Sequence, residues 1–432
     1  MGRKNSTERR FRVDITPLRT SRDFRTLLIA STVFYLGGMA TYVALPFQIY
    51  QLTGSNLAVG LMGAVQLVPL VVFGLYGGAL ADHVDRRAML LWTGVAQAVL
   101  MGLLCLNATS DAPRVWLLYV VGGLMAVASS LQRPSKDALL PRVVRHEELP
   151  AAVSLSGLGM QLGALLGPTL AGLLIAGAGL PWAFGMTVLG VVVATALYAR
   201  LDRYPPVDAG TPPSLRGITE GIRYAVRRRD LLGTYVVDLV AMLMAMPIVL
   251  FPAFAQDVLG TPQLLGLLYT AETVGALAAT LTSGWTTHVH HHGRAVVLAA
   301  AAWGAAIALA GLAPSVWVAL GFLVVAGAAD MVSGIFRGVI WNQTIPDSMR
   351  GRLAGIELLS YSVGPLGGQT RAGLVADLTS VRTSIVSGGI LCVAGVGATA
   401  AALRGLWTYD ARTDEHAIRE REFRATAAGT SA

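Results

Sequence analysis

Along most of the chain, long apolar runs alternate with short polar interruptions. The runs lie at about 26–52, 58–81, 89–107, 115–132, 151–177 and 181–199. After a polar gap they resume at about 231–254, 264–286, 295–313, 316–340, 353–375 and 383–403. Crossing the hydrocarbon core of a bilayer takes roughly 20 apolar residues in a helix. A backbone surrounded by lipid must satisfy its own hydrogen bonds, so runs of this length predict helices. The pattern therefore predicts an all-α integral membrane protein of about twelve spans.

The polar gap, 200–230, opens with Pro205, Pro206, Pro212 and Pro213, which break helices and mark a linker. Beyond it, Leu215, Ile218, Ile222 and Val226 recur at helical spacing opposite Arg216, Arg223 and Arg227. Two readings fit this helix: it lies on the membrane surface, or it is a solvated connector. The two flanking sets of spans carry echoes of one another. Gly163 to Pro168 in the fifth span corresponds to Gly364 to Gly368 in the eleventh, and Leu140-Pro141 to Ile345-Pro346 in the loops before them. The expected organisation is a basic arm (1–25), a six-helix bundle (26–199), the linker (200–230), a second six-helix bundle (231–403) and a tail (404–432). Parallel six-helix repeats of this kind place a substrate cavity between the halves.

Composition agrees and narrows the class. Hydrophobic residues make up 54% of the 432 residues and charged ones 13%, and the mean hydropathy is +0.59. That excludes a soluble enzyme, which needs a larger charged surface. The net charge of +8 does not indicate nucleic acid, because the basic residues cluster in alternate connections. Arg3, Lys4, Arg9, Arg10, Arg12, Arg19, Arg22 and Arg25 precede the first span. Arg86 and Arg87, then Arg133, Lys136, Arg142 and Arg145, then the linker, Arg294, Arg350, Arg352 and the tail follow on the same side. The opposite connections hold only Arg114 and Arg382. The positive-inside rule then predicts cytoplasmic N- and C-termini. Many arginines against two lysines, with abundant Ala, Val and Gly, suggest a GC-rich bacterium and thus its inner membrane. Cys105 and Cys392 sit in separate apolar runs and read as packing residues.

The most specific local pattern is Gly78-Ala-Leu-Ala-Asp82-His-Val-Asp85-Arg86-Arg87, between the second and third spans. Gly78 and Asp82 are four apart and share a helix face. The glycine permits close helix approach, and the aspartate can face the positive end of a neighbouring helix. This loop resembles the signature loop of the major facilitator superfamily, with His83 where a basic residue is usual and Asp85 where glycine is usual. The resemblance implies that the loop latches the two halves and controls their conformational change. The fifth span holds Gly163, Gly167, Pro168 and Gly172, which alone make a packing groove. The set also resembles the motif of the superfamily's exporters, with Ala171 in place of a glycine. Further segments, Val43–Pro46, Leu52–Ser55, Gly77–Asp82, Arg133–Pro134, Gln343–Pro346 and Gly351–Gly355, resemble the superfamily's enterobactin-exporter branch. That branch includes siderophore exporters and macrolide or multidrug efflux proteins.

Charges inside the spans are costly and mark pairing or function. Asp238, Glu272, Asp330, Glu357 and Arg371 are the candidates. Glu272, about nine residues into its span, is the leading candidate for a coupling or substrate-binding group. Asp330 and Arg337 are seven apart, hence on one face, and form a candidate pair. Proton-coupled members of the family often carry an arginine deep in the fourth span, but Val120–Ser130 has no charge. Proton coupling, if present, then falls to the acids of the second half.

His288, His290, His291 and His292 read as a solvated loop rather than a metal site, since no carboxylate or cysteine lies beside them. No cofactor is expected, and no phosphate-binding loop of an attached ATPase is found. The expected activity is secondary transport by a monomer, most consistent with export of a siderophore, drug or other amphipathic metabolite. An uptake permease of the same fold and a transport-inactive sensor or scaffold remain the rival readings.

Overall fold

The protein is described by a computed structural model covering residues 14–204, 220 and 223–429, side chains at 74–83, 347, 348, 350–352, 354–359, 424, 425 and 427–429 lying outside that description. Twelve long helices follow in order: α1 (Arg22–Thr53), α2 (Asn56–His83), α3 (Arg86–Thr109), α4 (Val115–Val143), α5 (Leu149–Gly177) and α6 (Leu180–Tyr198), then α7 (Arg229–Ala245), α8 (Leu265–Leu281), α9 (His292–Leu312), α10 (Val316–Thr344), α11 (Asp347–Leu378) and α12 (Val381–Ala402). A further helix, α13 (Glu415–Gly429), ends the described chain. Eleven helical stretches are long and apolar enough, among the described residues, to cross a membrane. The eleventh helix in order, α11, is not one of them: its described second half carries Gln369, Arg371 and Asp377 among glycines and serines. Its 32 residues are still more than a bilayer requires.

Short connections force antiparallel neighbours. α1 and α2 are joined by Gly54 and Ser55 alone; Gly54 adopts φ 64°, a left-handed conformation that only glycine enters cheaply, and its N–H bonds the Tyr50 carbonyl at 2.8 Å. In the first six helices the close pairs are α1 with α5 and α6, α2 with α4, and α3 with α4 and α6. Shifting each number by six reproduces the close pairs of the second set: α7 with α11 and α12, α8 with α10, and α9 with α10 and α12. Between the sets the principal contacts are α2 with α11 and α5 with α8, which also map onto each other under that shift. This is the two-bundle major facilitator fold.

Three elements differ from the apolar pattern. The run at 231–254 is not one helix. α7 stops at Ala245, and a 3-10 turn (Ile248–Leu250) and a wide turn (Phe254–Val258) continue it. Pro247 is the cause: the residue before a proline is pushed out of the α region, and Met246 has φ −85° and ψ 97°. α4 instead continues past its apolar run to Val143, through Pro134 and Pro141, so the segment around Leu140 is helical. The tail is packed from its start: Leu406 is buried, and a Cβ on Gly293 would lie 1.7 Å from the Leu406 carbonyl oxygen. Ala411 donates its N–H to the His290 carbonyl (3.0 Å).

Most of the linker falls outside the described residues. Of its proposed apolar face only Val226 is described, and it is exposed. Large apolar side chains with no protein cover, such as Trp92 and Leu281, lie on the outside of the bundles, where lipid is the surrounding solvent.

Candidate transport site

A cavity of about 350 Å³ lies mainly within the first bundle. α1 contributes Tyr35, Met39 and Tyr42, α2 Met62 and Gln66, α3 Gln97 and Met101, α4 Met125 and Ser129, and α6 Thr187. The second set adds Ile248 and Val249, from the turn that breaks helix seven, and Leu366 and Gln369 of α11. No charged side chain lines this cavity among the described residues. Its wall combines thioethers and aromatic rings, which adapt to varied apolar shapes, with amides and hydroxyls that can orient a polar group. Such walls suit an amphipathic guest.

Sequence reasoning missed these residues. The available signal was a set of glutamines within apolar spans, since an amide in lipid calls for a partner.

The cavity ends where the two bundles meet, at the end of the molecule that carries Gly54 and Asp377. Tyr42 packs edge-on to Tyr269 (centroids 5.7 Å apart), and Tyr269 likewise to Phe251 (5.1 Å). Thr169 and Thr270 share a hydrogen bond of 2.9 Å, and Thr370 donates to the Gly60 carbonyl at 2.9 Å. Tyr50 donates to Asp257, and Asp377 accepts from Ser55, Asn56 and Leu57. Where both partners are described, every hydrogen bond between the bundles lies at this end.

Part of the helix-five motif lies at this seam. Gly163 and Gly167 face α1, where a Cβ would come within 2.7 Å of Tyr35 and 2.5 Å of Met39. Gly172 meets Gly266 of α8: a Cβ on Gly172 would lie 2.7 Å from the Gly266 Cα, and one on Gly266 2.4 Å from the Pro168 carbonyl oxygen. Replacing Gly266 with valine should therefore pry α5 from α8. Overpacking of this kind costs about 1–3 kcal/mol, enough to lower initial transport rates roughly tenfold in vesicles of matched protein content. An unchanged rate would mean that this seam does not close during the cycle.

The intramembrane charges sort into distinct settings. Asp238 on α7 forms a buried ion pair with Arg337 of α10 and accepts a hydrogen bond from Ser360 (2.8 Å). Asp330 is farther from the same guanidinium, at 3.9 Å, and its side chain is 44% exposed. Arg337 therefore bridges two acids, of which sequence spacing indicated one. One turn away, Tyr235 stacks on Trp341 (5.1 Å), whose indole N–H donates to Thr234 at 2.8 Å, bracing α7 on α10.

Glu272 sits on α8 where α8 crosses α10. Gly275 and Gly327 permit that crossing, because a Cβ at 327 would lie 1.9 Å from the Glu272 carbonyl oxygen. One carboxylate oxygen of Glu272 is buried without a hydrogen-bond partner. Glu272 stands one turn from Tyr269, the ring that meets Tyr42 at the cavity's end. Arg371 is enclosed beside the broken end of α7, with Ser384 O its hydrogen-bond acceptor at 3.4 Å.

The signature loop is only partly described. Gly78 and Asp82 belong to the last turns of α2, and their side chains, like that of Glu357, lie outside the described residues. Asp85 caps α3 by accepting from the Arg87 N–H (2.9 Å). Arg86 reaches the Ala138 carbonyl at 3.2 Å and Arg87 the Ala199 carbonyl at 2.5 Å, so both arginines tie the loop to α4 and α6. Of the histidines, His291 faces Asp410 at 3.4 Å. His292 is buried against Phe336 and Tyr409, and so is not part of a solvated loop. The docked tail at Leu406–Tyr409 covers it.

Comparison with known proteins agrees with this architecture. Residues 13–423 match the family model described as "Transmembrane secretion effector". The enterobactin exporter EntS of Shigella boydii serotype 18 is 29% identical over 388 residues, which is 89% of this chain and 92% of that one. Among solved structures, the nucleoside transporter NupG superposes with a TM-score of 0.70 at 11% identity, covering 90% of this chain and all (100%) of that one. A bacterial homologue of the iron transporter ferroportin, in an inward-facing state, gives 0.67 at 17% identity, covering 90% and 99%.

Proposed function

Because this chain belongs to the transmembrane secretion effector family, we propose that it is a secondary transporter exporting a small amphipathic organic molecule from the bacterial cytoplasm. The observation that carries this reading is the uncharged cavity of thioether, aromatic and amide side chains that ends at the seam between the bundles. The positive-inside bias makes the Asp377 end the external one. The conformation with a sealed outer seam is then the one that receives cargo from the cytoplasm. Opening that seam while the halves close at the Asp85 end delivers the cargo outside. The similarity to an enterobactin exporter supports the outward direction and makes siderophores the first cargo class to test, with drugs of similar amphipathic character next.

Motive force is assigned to an ion gradient, with protons as the candidate ion and Glu272 as the group that carries them. It combines a buried, unpartnered carboxylate oxygen with a place one turn from the Tyr42–Tyr269 contact. Asp238 is assigned a structural role, since Arg337 and Ser360 consume its oxygens. Asp330, more exposed and farther from Arg337, is the alternative acid.

Membrane vesicles of both orientations, supplied externally with a panel of siderophores and antibiotics, test the proposal. Accumulation only in inverted vesicles, whose cytoplasmic face is outward, is the expected result. Accumulation only in right-side-out vesicles would establish an uptake permease. Movement of none of the panel would favour a sensor or scaffold.

A further inference from the structure

We infer that Asp377 is a positioning residue for transport: its carboxylate is a releasable clasp that holds the outer seam shut by capping a helix of the opposite bundle. α2 and α11 run antiparallel along the seam, with Asn56 beside Gly373, Gly60 beside Thr370 and Gly63 beside Leu366. Asp377 is the penultimate residue of α11, and the N-terminus of α2 lies directly against it. The first amides of a helix have no acceptor within their own helix. Here the Asn56 N–H donates to Asp377 Oδ1 at 2.8 Å and the Leu57 N–H to Oδ2 at 3.1 Å. The Ser55 hydroxyl donates to the same Oδ2 at 2.5 Å while accepting from the Ala58 N–H at 3.1 Å. One carboxylate of the second bundle thus completes the cap of a 28-residue helix of the first, at the end where the helix dipole favours an anion.

Its setting distinguishes this contact from a permanent brace. The Asp238–Arg337 pair joins helices of one bundle and is shut away from water. Asp377 joins two bundles and is exposed, so water can take over both the carboxylate and the freed amides when the ends part. Close backbone approach at the same place depends on Gly373, where a Cβ would lie 2.3 Å from the Asn56 carbonyl oxygen. The order of residues adds a symmetry. Asp82 is the penultimate residue of α2, at the opposite end of the same antiparallel pair, where α11 begins. Each helix of the pair therefore carries an aspartate one residue before its C-terminal end. Asp377 is the outer member of that pair.

This inference rests on the alternating-access reading, and distance measurements in nanodiscs separate the two. Spin labels at Asp111 and Gln263 report the outer end, and labels at Glu147 and Thr287 the inner end, in a protein with Cys105 and Cys392 replaced by alanine. All four labelled positions are exposed. Losing a helix cap of this kind shifts an equilibrium by roughly three- to thirtyfold. In D377N without cargo, the ratio of long to short outer distances should rise by that factor while the inner distances shorten. D377E, which keeps the charge, should recover part of the wild-type ratio, and S55A should show a smaller shift in the same direction. Wild-type distances that respond to a transported siderophore, together with unchanged distances in D377N, would overturn the clasp. A lowered melting temperature in D377N without a change in either distance would overturn it too, in favour of a purely structural role. If wild-type distances respond to no molecule that the vesicles transport, the alternating-access reading fails, and the clasp fails with it.

Discussion

Replacing Arg337 with methionine should destabilise the second bundle by about 3–5 kcal/mol, the usual cost of stranding a buried charge. Asp238 would keep only the Ser360 hydroxyl, in a site where its side chain is 3% exposed and that of Arg337 5%. Pairing, rather than arginine as such, is what stabilises the site, so the sign reverses on a second change. Asp238→Asn combined with Arg337→Met leaves no unpaired charge in that pair and should recover most of the loss, as apolar replacements of buried pairs commonly do. Thermal melting of the purified protein in detergent, for both single variants and the double variant, checks this. A double variant no better than the worse single one would show that Asp238 and Arg337 are not energetically coupled.

Glu272→Gln is expected to uncouple transport from the proton gradient while leaving exchange intact. If one proton is traded for each cargo molecule, one pH unit of gradient corresponds to about 1.4 kcal/mol, or tenfold accumulation. Glutamine keeps the shape and polarity of the side chain but carries no exchangeable charge. Gradient-driven accumulation should therefore fall from about tenfold to parity per pH unit, while counterflow of labelled against unlabelled cargo continues. Counterflow separates this outcome from simple misfolding. Unchanged gradient-driven accumulation in E272Q would remove Glu272 from the coupling role and direct attention to Asp330, whose side chain is 44% exposed and only 3.9 Å from Arg337.

The two predictions differ in how far the sequence anticipates them. Glu272 stands out as a single acid in an apolar run, and a charge is conspicuous there wherever its helix packs. Asp238 is equally conspicuous, but its partner is not: Arg337 lies some hundred positions later, and helical spacing ties it to Asp330 on its own helix. Only the contact of α7 with α10 shows that Asp238 takes the closer share of the guanidinium. Similarly, Gly163, Gly167 and Gly172 signal close helix packing by their spacing, yet that spacing is silent on which helices they face. Two face α1 of their own bundle and the third faces α8 of the other.

Span positions and side bias were available from residue order because both depend on short-range physics. A backbone in lipid must close its own hydrogen bonds, and positive charge next to a span sets its orientation. The break in helix seven was equally local, since Pro247 could have been read as a stop within the run 231–254, and the strength of that run concealed it. The cavity, the seam and the cap that Asp377 places on α2 depend on residues hundreds of positions apart meeting at one helix end. Neither hydropathy nor spacing carries that information. Helix-to-helix packing decides it, because in lipid, where burial of apolar groups gives no preference, close approach at glycines and the pairing of polar groups select each helix's neighbours.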